Sequence, residues 1–263
     1  MNFKLKDNQM IFDVSEGFNV FKQRTNDFKW THPKNPNLKM SALSMCNVTS
    51  MVMAFDYLGY RFPSGIYKQP EDNLCDFIFN NKEVLAYYEK TMPALYKAFE
   101  RGEDNAFCPN EIHLVLAYGA NKWLGCTSAV TFHDRLKITD IIKEIIVFNR
   151  PVVMSGTFPY VYNSGKVGTI GHINVLVGII FDTKRINVNS LNFNSQKTID
   201  DLAERKDVIF IFDDPYGDYK QNFKAGTEND VLIPYTDFIK YYKELNNITH
   251  KMGHIFKNAA ATI

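Results

Sequence analysis

Nowhere does the sequence hold an apolar run approaching the ~18 residues that a membrane-spanning helix needs, and its opening, "MNFKLKDNQMIFDVSEG", has no apolar stretch of signal-peptide length. The expectation is a product synthesised in the cytoplasm without a signal peptide, with no membrane partner. Charge of one sign is missing too. Thirty basic residues stand against 29 acidic ones, whereas nucleic-acid and membrane-surface binders usually carry a basic excess, so no nucleic-acid partner is expected. The four cysteines, at 46, 75, 108 and 126, form no C-x-x-C pair. That points away from a zinc ribbon or a disulfide framework and towards free thiols. Internal repeats, low-complexity tracts and Pro/Gly/Ser-rich linkers are lacking as well. With 45% hydrophobic and 22% charged residues over 263 positions, the composition is that of a globular chain able to bury a sizeable core. It reads as one domain, 1–263, with a helical insertion at about 61–125.

What is present falls into two kinds of pattern. Val48, Met51, Val52, Phe55 and Leu58 recur at helical spacing and "LGY" follows, so 46–58 is predicted as a helix packed on one face, with Cys46 in its first turn. Residues 70–102 read as helix in two pieces, broken at Pro93 and ended by Gly102. "PNEIHLVLAYGANKWLG" starts another helix, and "KITDIIKEIIVFNR" a fourth, cut off by Pro151. After that the period changes. "PVVMSGTF" (151–158), "HINVLVGIIFD" (172–182) and "DVIFIFDD" (207–214) are β-branched or aromatic runs bounded by turn residues, as in buried strands, and "PYVYNSGKVGTIG" fits the hairpin loop between the first two. A last helix is predicted at "TDFIKYYKEL", capped by Thr236 or Asp237. The order is helices first and then an antiparallel sheet, an α+β arrangement.

Cys46 is the residue with chemical promise. A cysteine attacks as the thiolate, and a free thiol's pKa of about 8.5 falls when the sulfur sits at a helix N-terminus or beside an imidazolium. The alternative is that Cys46 is a small apolar residue in the core, the reading given to Cys75, Cys108 and Cys126. His172 follows Gly171 at the mouth of an apolar strand, and another strand ends in Asp213 and Asp214 before Pro215. A carboxylate there can accept the imidazole N–H, fix its tautomer and stabilise the protonated ring. Otherwise His172 is a core histidine, and Asp214, or its neighbour Asp213, caps the turn.

The text "CNVTSMVMAFDYLGY" resembles the nucleophile helix of the C39-like peptidases, papain-fold cysteine peptidases whose usual text is close to C-G-P-T-S-x-x-M followed by Leu-Gly. "PVVMSGTF", "GHINVLVGI" and "DDPYGDY" resemble that family's strand, Gly-His strand and Asp-Pro-Tyr-Gly turn in the expected order, and "VFKQRTND" resembles its Gln-containing segment. Asn47 and Val48 stand where the family has Gly-Pro, and 61–125 has no counterpart. The resemblance implies a papain-like fold with the nucleophile helix packed on the antiparallel sheet. It implies Cys46 as nucleophile, His172 as general base and then acid, Asp214 orienting His172, and Gln23 with the Cys46 N–H holding the oxyanion; Asn26 is the competing amide. The implied activity is hydrolysis of peptide amide bonds, in peptides or peptidoglycan, with no metal or organic cofactor. The implied setting is a phage virion, release by lysis, or another protein assembly. An inactive papain-fold peptide-binding component is the alternative class, and acyl transfer to an amine a third.

Other motifs fall short. "NSGKVG" lacks the upstream Gly and the Ser/Thr after Lys that a P-loop needs. His250 and His254 have i, i+4 spacing, but Gly253 weakens a helix there and no Glu follows the first His. Tyr160 and Tyr162 are candidates for lining a substrate groove or for loop packing.

Overall fold

The computed structural model describes residues 3–18, 20–26, 31–32, 35–39, 44–103, 112–242 and 251–259. The chain is a mixed α+β protein. In chain order its elements are β1 (Lys4–Lys6), β2 (Gln9–Asp13), β3 (Thr31–His32), β4 (Asn35–Lys39), α1 (Cys46–Tyr57), α2 (Pro70–Asn80), α3 (Lys82–Thr91), α4 (Pro93–Arg101) and α5 (His113–Trp123). There follow β5 (Val130–Leu136), α6 (Ile138–Ile146), β6 (Val152–Val161), β7 (Val167–Asp182), α7 (Gln196–Ala203), β8 (Val208–Asp213), β9 (Val231–Pro234), α8 (Tyr235–Tyr241) and β10 (Lys251–Phe256). They fall into two compact units, Met1–Val20 with His133–Ile255, and Phe21–Phe132 with Phe256–Ile263.

The first unit is built on β7. This strand pairs antiparallel with β6 from Val167 to Leu176, then with β2 from Gly178 to Asp182. Its other edge takes β8, which in turn pairs with β9. From His172 to Phe181 every residue of β7 is buried, which is why that stretch reads as a continuous apolar run and only 167–171 alternates. Met10, Phe12, Met154, Phe158, Leu176, Ile179, Phe181, Phe210, Phe212 and the inward side of α6 make one core. Helix α6 earns that place because Ile141, Ile142, Ile145 and Ile146 recur at i, i+1, i+4, i+5.

The second unit is helical. Pro70 and Pro93 open α2 and α4, where a missing N–H costs nothing, and Gly102 closes α4 in the left-handed region (φ 76°). Asn81 caps α3 by accepting from the Glu83 and Val84 N–H groups (2.9 and 3.2 Å). Leu74, Cys75 and Ile78 of α2, Val84 and Tyr88 of α3, and Val115, Leu116 and Ala120 of α5 are buried.

Several expectations are corrected. The predicted order of helices before sheet fails at the N-terminus, because β1 and β2 precede the helices and β2 joins β7. Residues 70–102 form three helices, not two, since Asn81, in extended backbone, ends α2 and caps α3. Helix α1 is buried on nearly all sides, with only Asp56 half-exposed, so it is not packed on one face alone. Helix α6 stops at Ile146, well short of Pro151. The predicted loop 159–171 is mostly strand, because β6 and β7 stay paired out to Val161 and Val167. Neither Thr236 nor Asp237 caps α8; Pro234 holds that position, and Asp237 instead accepts from the Tyr219 hydroxyl (2.5 Å). Residues 251–256, read only as a weak histidine pair, are a strand of the sheet paired with β6. Among the described residues, no helix is long and apolar enough to cross a membrane.

Candidate active site

The two units divide the predicted site residues between them: Gln23 and Cys46 belong to the helical unit, His172 and Asp214 to the sheet unit.

In the sheet unit, His172 lies opposite Gly156 in the β6–β7 ladder. A Cβ on Gly156 would meet the Phe158 ring at 2.7 Å and the Tyr241 carbonyl at 3.1 Å, so glycine there lets the rings close in beside the imidazole. Phe223 stands edge-on to His172 at 5.2 Å, Tyr216 is at 6.0 Å and Phe158 at 6.2 Å. Phe223 reaches that position from an unusual backbone, with both Asn222 (φ 52°) and Phe223 (φ 57°) left-handed. Asn222 offsets the strain by bonding both the N–H and the C=O of Val161 (2.8 and 3.0 Å).

Behind the imidazole stands Asp214. The buried His172 Nε2–H donates to Asp214 Oδ1 at 2.6 Å. That oxygen also accepts from the backbone N–H groups of Tyr216 (2.8 Å) and Gly217 (3.1 Å), and Gly217 can turn there because its φ of 114° suits only glycine. The other carboxylate oxygen, Oδ2, accepts from Asn174 Nδ2 at 3.0 Å, and Asn174 Oδ1 accepts from the Tyr242 hydroxyl at 2.9 Å. The two aspartates are thereby told apart. Asp214 faces His172, whereas Asp213 Oδ1 accepts from the Asp230 N–H (3.1 Å). A histidine that donates through Nε2 keeps its lone pair on Nδ1 when neutral, so Nδ1 is the atom able to take a proton.

In the helical unit, Cys46 is the first residue of α1 and is buried. The first intrahelical bond, Thr49 N–H to Met45 C=O (2.9 Å), leaves the N–H groups of residues 46–48 at the helix's positive end. Gln23 is buried in a single 3-10 turn, Gln23–Thr25. Both flanks of that turn are tied to α1: the Phe21 N–H to Met53 Sδ at 3.2 Å, and Asn26 Nδ2 to Thr49 Oγ1 at 3.0 Å. The competing amide, Asn26, is thus engaged with the helix, and Gln23 lies between two segments tied to it. Asn47, beside the cysteine, is fully buried and donates through Nδ2 to His113 Nδ1 at 3.1 Å, while the His113 ring stacks on Phe132 at 4.7 Å. Burial pushes the His113 imidazole down to about 4, so it is neutral at physiological pH.

Cys75 is buried in α2 and Cys126 half-buried after α5; Cys108 and His250 lie outside the described residues. Tyr160 and Tyr162 pack edge to face at 5.0 Å at the exposed end of the β6–β7 hairpin. Asn174, Phe223 and Tyr242 were not anticipated, although Asn174 left a signal. It is the one polar side chain in the run 173–181 and sits two residues from His172, so both project from one face of β7. No protein-family model matches the sequence, and no curated protein is significantly similar to it.

Proposed function

We propose that the protein is a papain-like cysteine hydrolase of the C39-like kind, cleaving amide bonds of peptides, with peptidoglycan stem or cross-link peptides as the substrate class and a phage particle or lysate as its setting. The observation that carries the reading is the His172–Asp214 pair: a buried imidazole held through Nε2 by a carboxylate that is itself held by two backbone N–H groups. A carboxylate in that position fixes the tautomer with Nδ1 as the base and favours the imidazolium that forms. Cys46, opening α1, is the thiol that such a base would serve.

In this reaction His172 Nδ1 takes the Cys46 proton as the sulfur attacks the carbonyl carbon. The oxyanion is met by the Cys46 N–H and the Gln23 carboxamide, a donor whose loss costs roughly 10²–10³ in rate. Collapse of the tetrahedral intermediate breaks the C–N bond, and the imidazolium gives its proton to the departing amine. Water then attacks the thioester, passing a proton to the same nitrogen. The C–S bond then breaks, the acid product leaves, and the proton returns to sulfur.

The test is alkylation of the full chain with iodoacetamide over a pH series, with each thiol located by mass spectrometry. Cys46 should react faster than Cys75 and lose that advantage in His172→Ala. Incubation with purified sacculi or a peptide library should give free amine and acid ends with the native chain and none with Cys46→Ala, while Cys75→Ala stays active. A Cys46 that reacts like glutathione and ignores the loss of His172 defeats the proposal. An unchanged substrate beside normal peptide binding identifies a binding protein instead.

A further inference from the structure

We infer that Asn174 and Tyr242 are positioning residues for the proton-accepting histidine, an inference that rests on the hydrolase reading for its rate effect but on geometry alone for its structural part. The chain of donors runs Tyr242 Oη to Asn174 Oδ1 (2.9 Å), Asn174 Nδ2 to Asp214 Oδ2 (3.0 Å), and His172 Nε2 to Asp214 Oδ1 (2.6 Å). Each link settles the next. A primary amide can present either its oxygen or its NH₂ to a neighbour, and only the NH₂ suits a carboxylate. With the Tyr242 hydroxyl donating to the carboxamide oxygen, the NH₂ is directed at Asp214, and Asp214 is fixed at both oxygens. The carboxylate plane cannot swing, so the hydrogen bond to Nε2 keeps its direction and the imidazole keeps Nδ1 unprotonated.

Tyr242 is suited to act only as a donor. It is fully buried, its ring stacked on Phe212 at 4.8 Å and edge-on to Phe158 at 5.1 Å. Burial, and then the charge of Asp214, hold its phenol protonated well above the ordinary range. Among the described residues, Phe158 of β6, Tyr216, Tyr219 and Phe223 of the 214–223 turn, Phe212 of β8 and Phe238 of α8 approach this cluster, so rings make up much of its wall. A polar chain enclosed in this way is costly to leave half-satisfied.

The experiment uses the full chain with ¹⁵N-labelled histidine, the His172 signals being assigned with His172→Ala. The native ring should show a single tautomer protonated at Nε2. Tyr242→Phe, which differs by one oxygen and frees the amide to turn, and Asn174→Ala should both give a mixture of tautomers. On a cleavable peptide, Asn174→Ala should lose about 10-fold in kcat with KM unchanged, and Tyr242→Phe somewhat less. If Asn174→Ala does not fold, Tyr242→Phe decides alone. Native-like tautomers in folded variants overturn the inference whatever the activity. A shifted tautomer in a protein that cleaves nothing leaves the network standing and removes the hydrolase reading instead.

Discussion

The sheet unit and the helical unit each bury a histidine against aromatic rings, and what differs is the group bonded to the imidazole. His172 donates to Asp214, whose oxygens also take the Tyr216 and Gly217 N–H groups and the Asn174 amide. His113 accepts from the Asn47 amide, stacks on Phe132, and is driven by burial to about 4. Burial alone therefore makes an imidazole a poor proton acceptor near neutrality, and a carboxylate is what lets a buried ring take up charge. The difference is why the proposed function places base chemistry at His172 and not at His113, although His113 is hydrogen-bonded to the residue next to Cys46.

The largest effect on this contrast should come from Asp214→Asn. An amide that keeps its oxygen towards His172 and the turn N–H groups must point its NH₂ at the NH₂ of Asn174, which Tyr242 holds in place. An amide that turns round instead presents its NH₂ to Nε2, and the ring must then carry its proton on Nδ1. In the first orientation the tautomer survives only against that clash and without a negative charge to favour the imidazolium, and in the second the tautomer suited to accepting a thiol proton is lost. Turnover should fall by about 10³–10⁴, the scale seen when a triad carboxylate becomes an amide. Asp213→Asn, which keeps an oxygen able to accept from the Asp230 N–H, should cost turnover far less than Asp214→Asn, because the carboxylate bonded to the His172 ring stays in place. Initial rates on one peptide compare the three chains directly, and equal losses in the two variants would undo the assignment of Asp214.

What was legible in the sequence follows the same division. The runs 172–182 and 207–214 announce strands because β-branched and aromatic residues fill both faces, and Asp214-Pro215 marks where β8 meets its polar turn; Gly171-His172 reads as a strand start but lies inside β7, where burial begins. Helix α1 is legible from its apolar spacing, but its burial on nearly all sides is not, because Asn47, Thr49 and Ser50 look like a solvent face yet are buried. Strands β1, β2 and β5 hide because β1 is only three residues, all exposed, β2 alternates over just five with Met10 and Phe12 buried, and β5 exposes Thr131, His133, Asp134 and Arg135 between buried ends. β10 hides behind Gly253, which reads as a breaker but sits where a Cβ would come within 2.5 Å of the Val153 carbonyl. The Asn174–Tyr242 link joins residues 68 positions apart and depends on how α8 ends, which no local spacing encodes.

A second effect concerns stability. His113 has its folded-state value lowered from 6.5 to about 4, so the unfolded chain binds a proton over that interval while the folded chain does not. The stabilisation is fully present above pH 6.5 and is lost as pH falls from 6.5 towards 4, an interval worth about 3 kcal/mol at ~1.4 kcal/mol per unit. Urea unfolding of the native chain at about pH 7 and about pH 4.5, either side of most of that interval, should show the loss over and above that in His113→Phe, which has no proton to bind. Parallel pH dependences in the two chains would mean that His113 is protonated in the fold.

The smallest and sharpest change is Asn47→Asp, which gives the helical unit the group already present in the sheet unit, a carboxylate against an imidazole. At 3.1 Å from His113 Nδ1 the new oxygen accepts from a proton-bearing nitrogen, where the native amide donates to a bare one. The ring should therefore titrate higher by at least about 1 unit, the scale of a close opposite charge. Its share of the acid instability should shrink accordingly. The same negative charge, one residue from Cys46, opposes a negative sulfur and should slow iodoacetamide at that thiol while leaving Cys75 as before. NMR titration of His113 and alkylation of Cys46 read the two consequences separately. A ring that stays near 4 beside the introduced carboxylate would show that burial, not the identity of its hydrogen-bond partner, separates the two histidines.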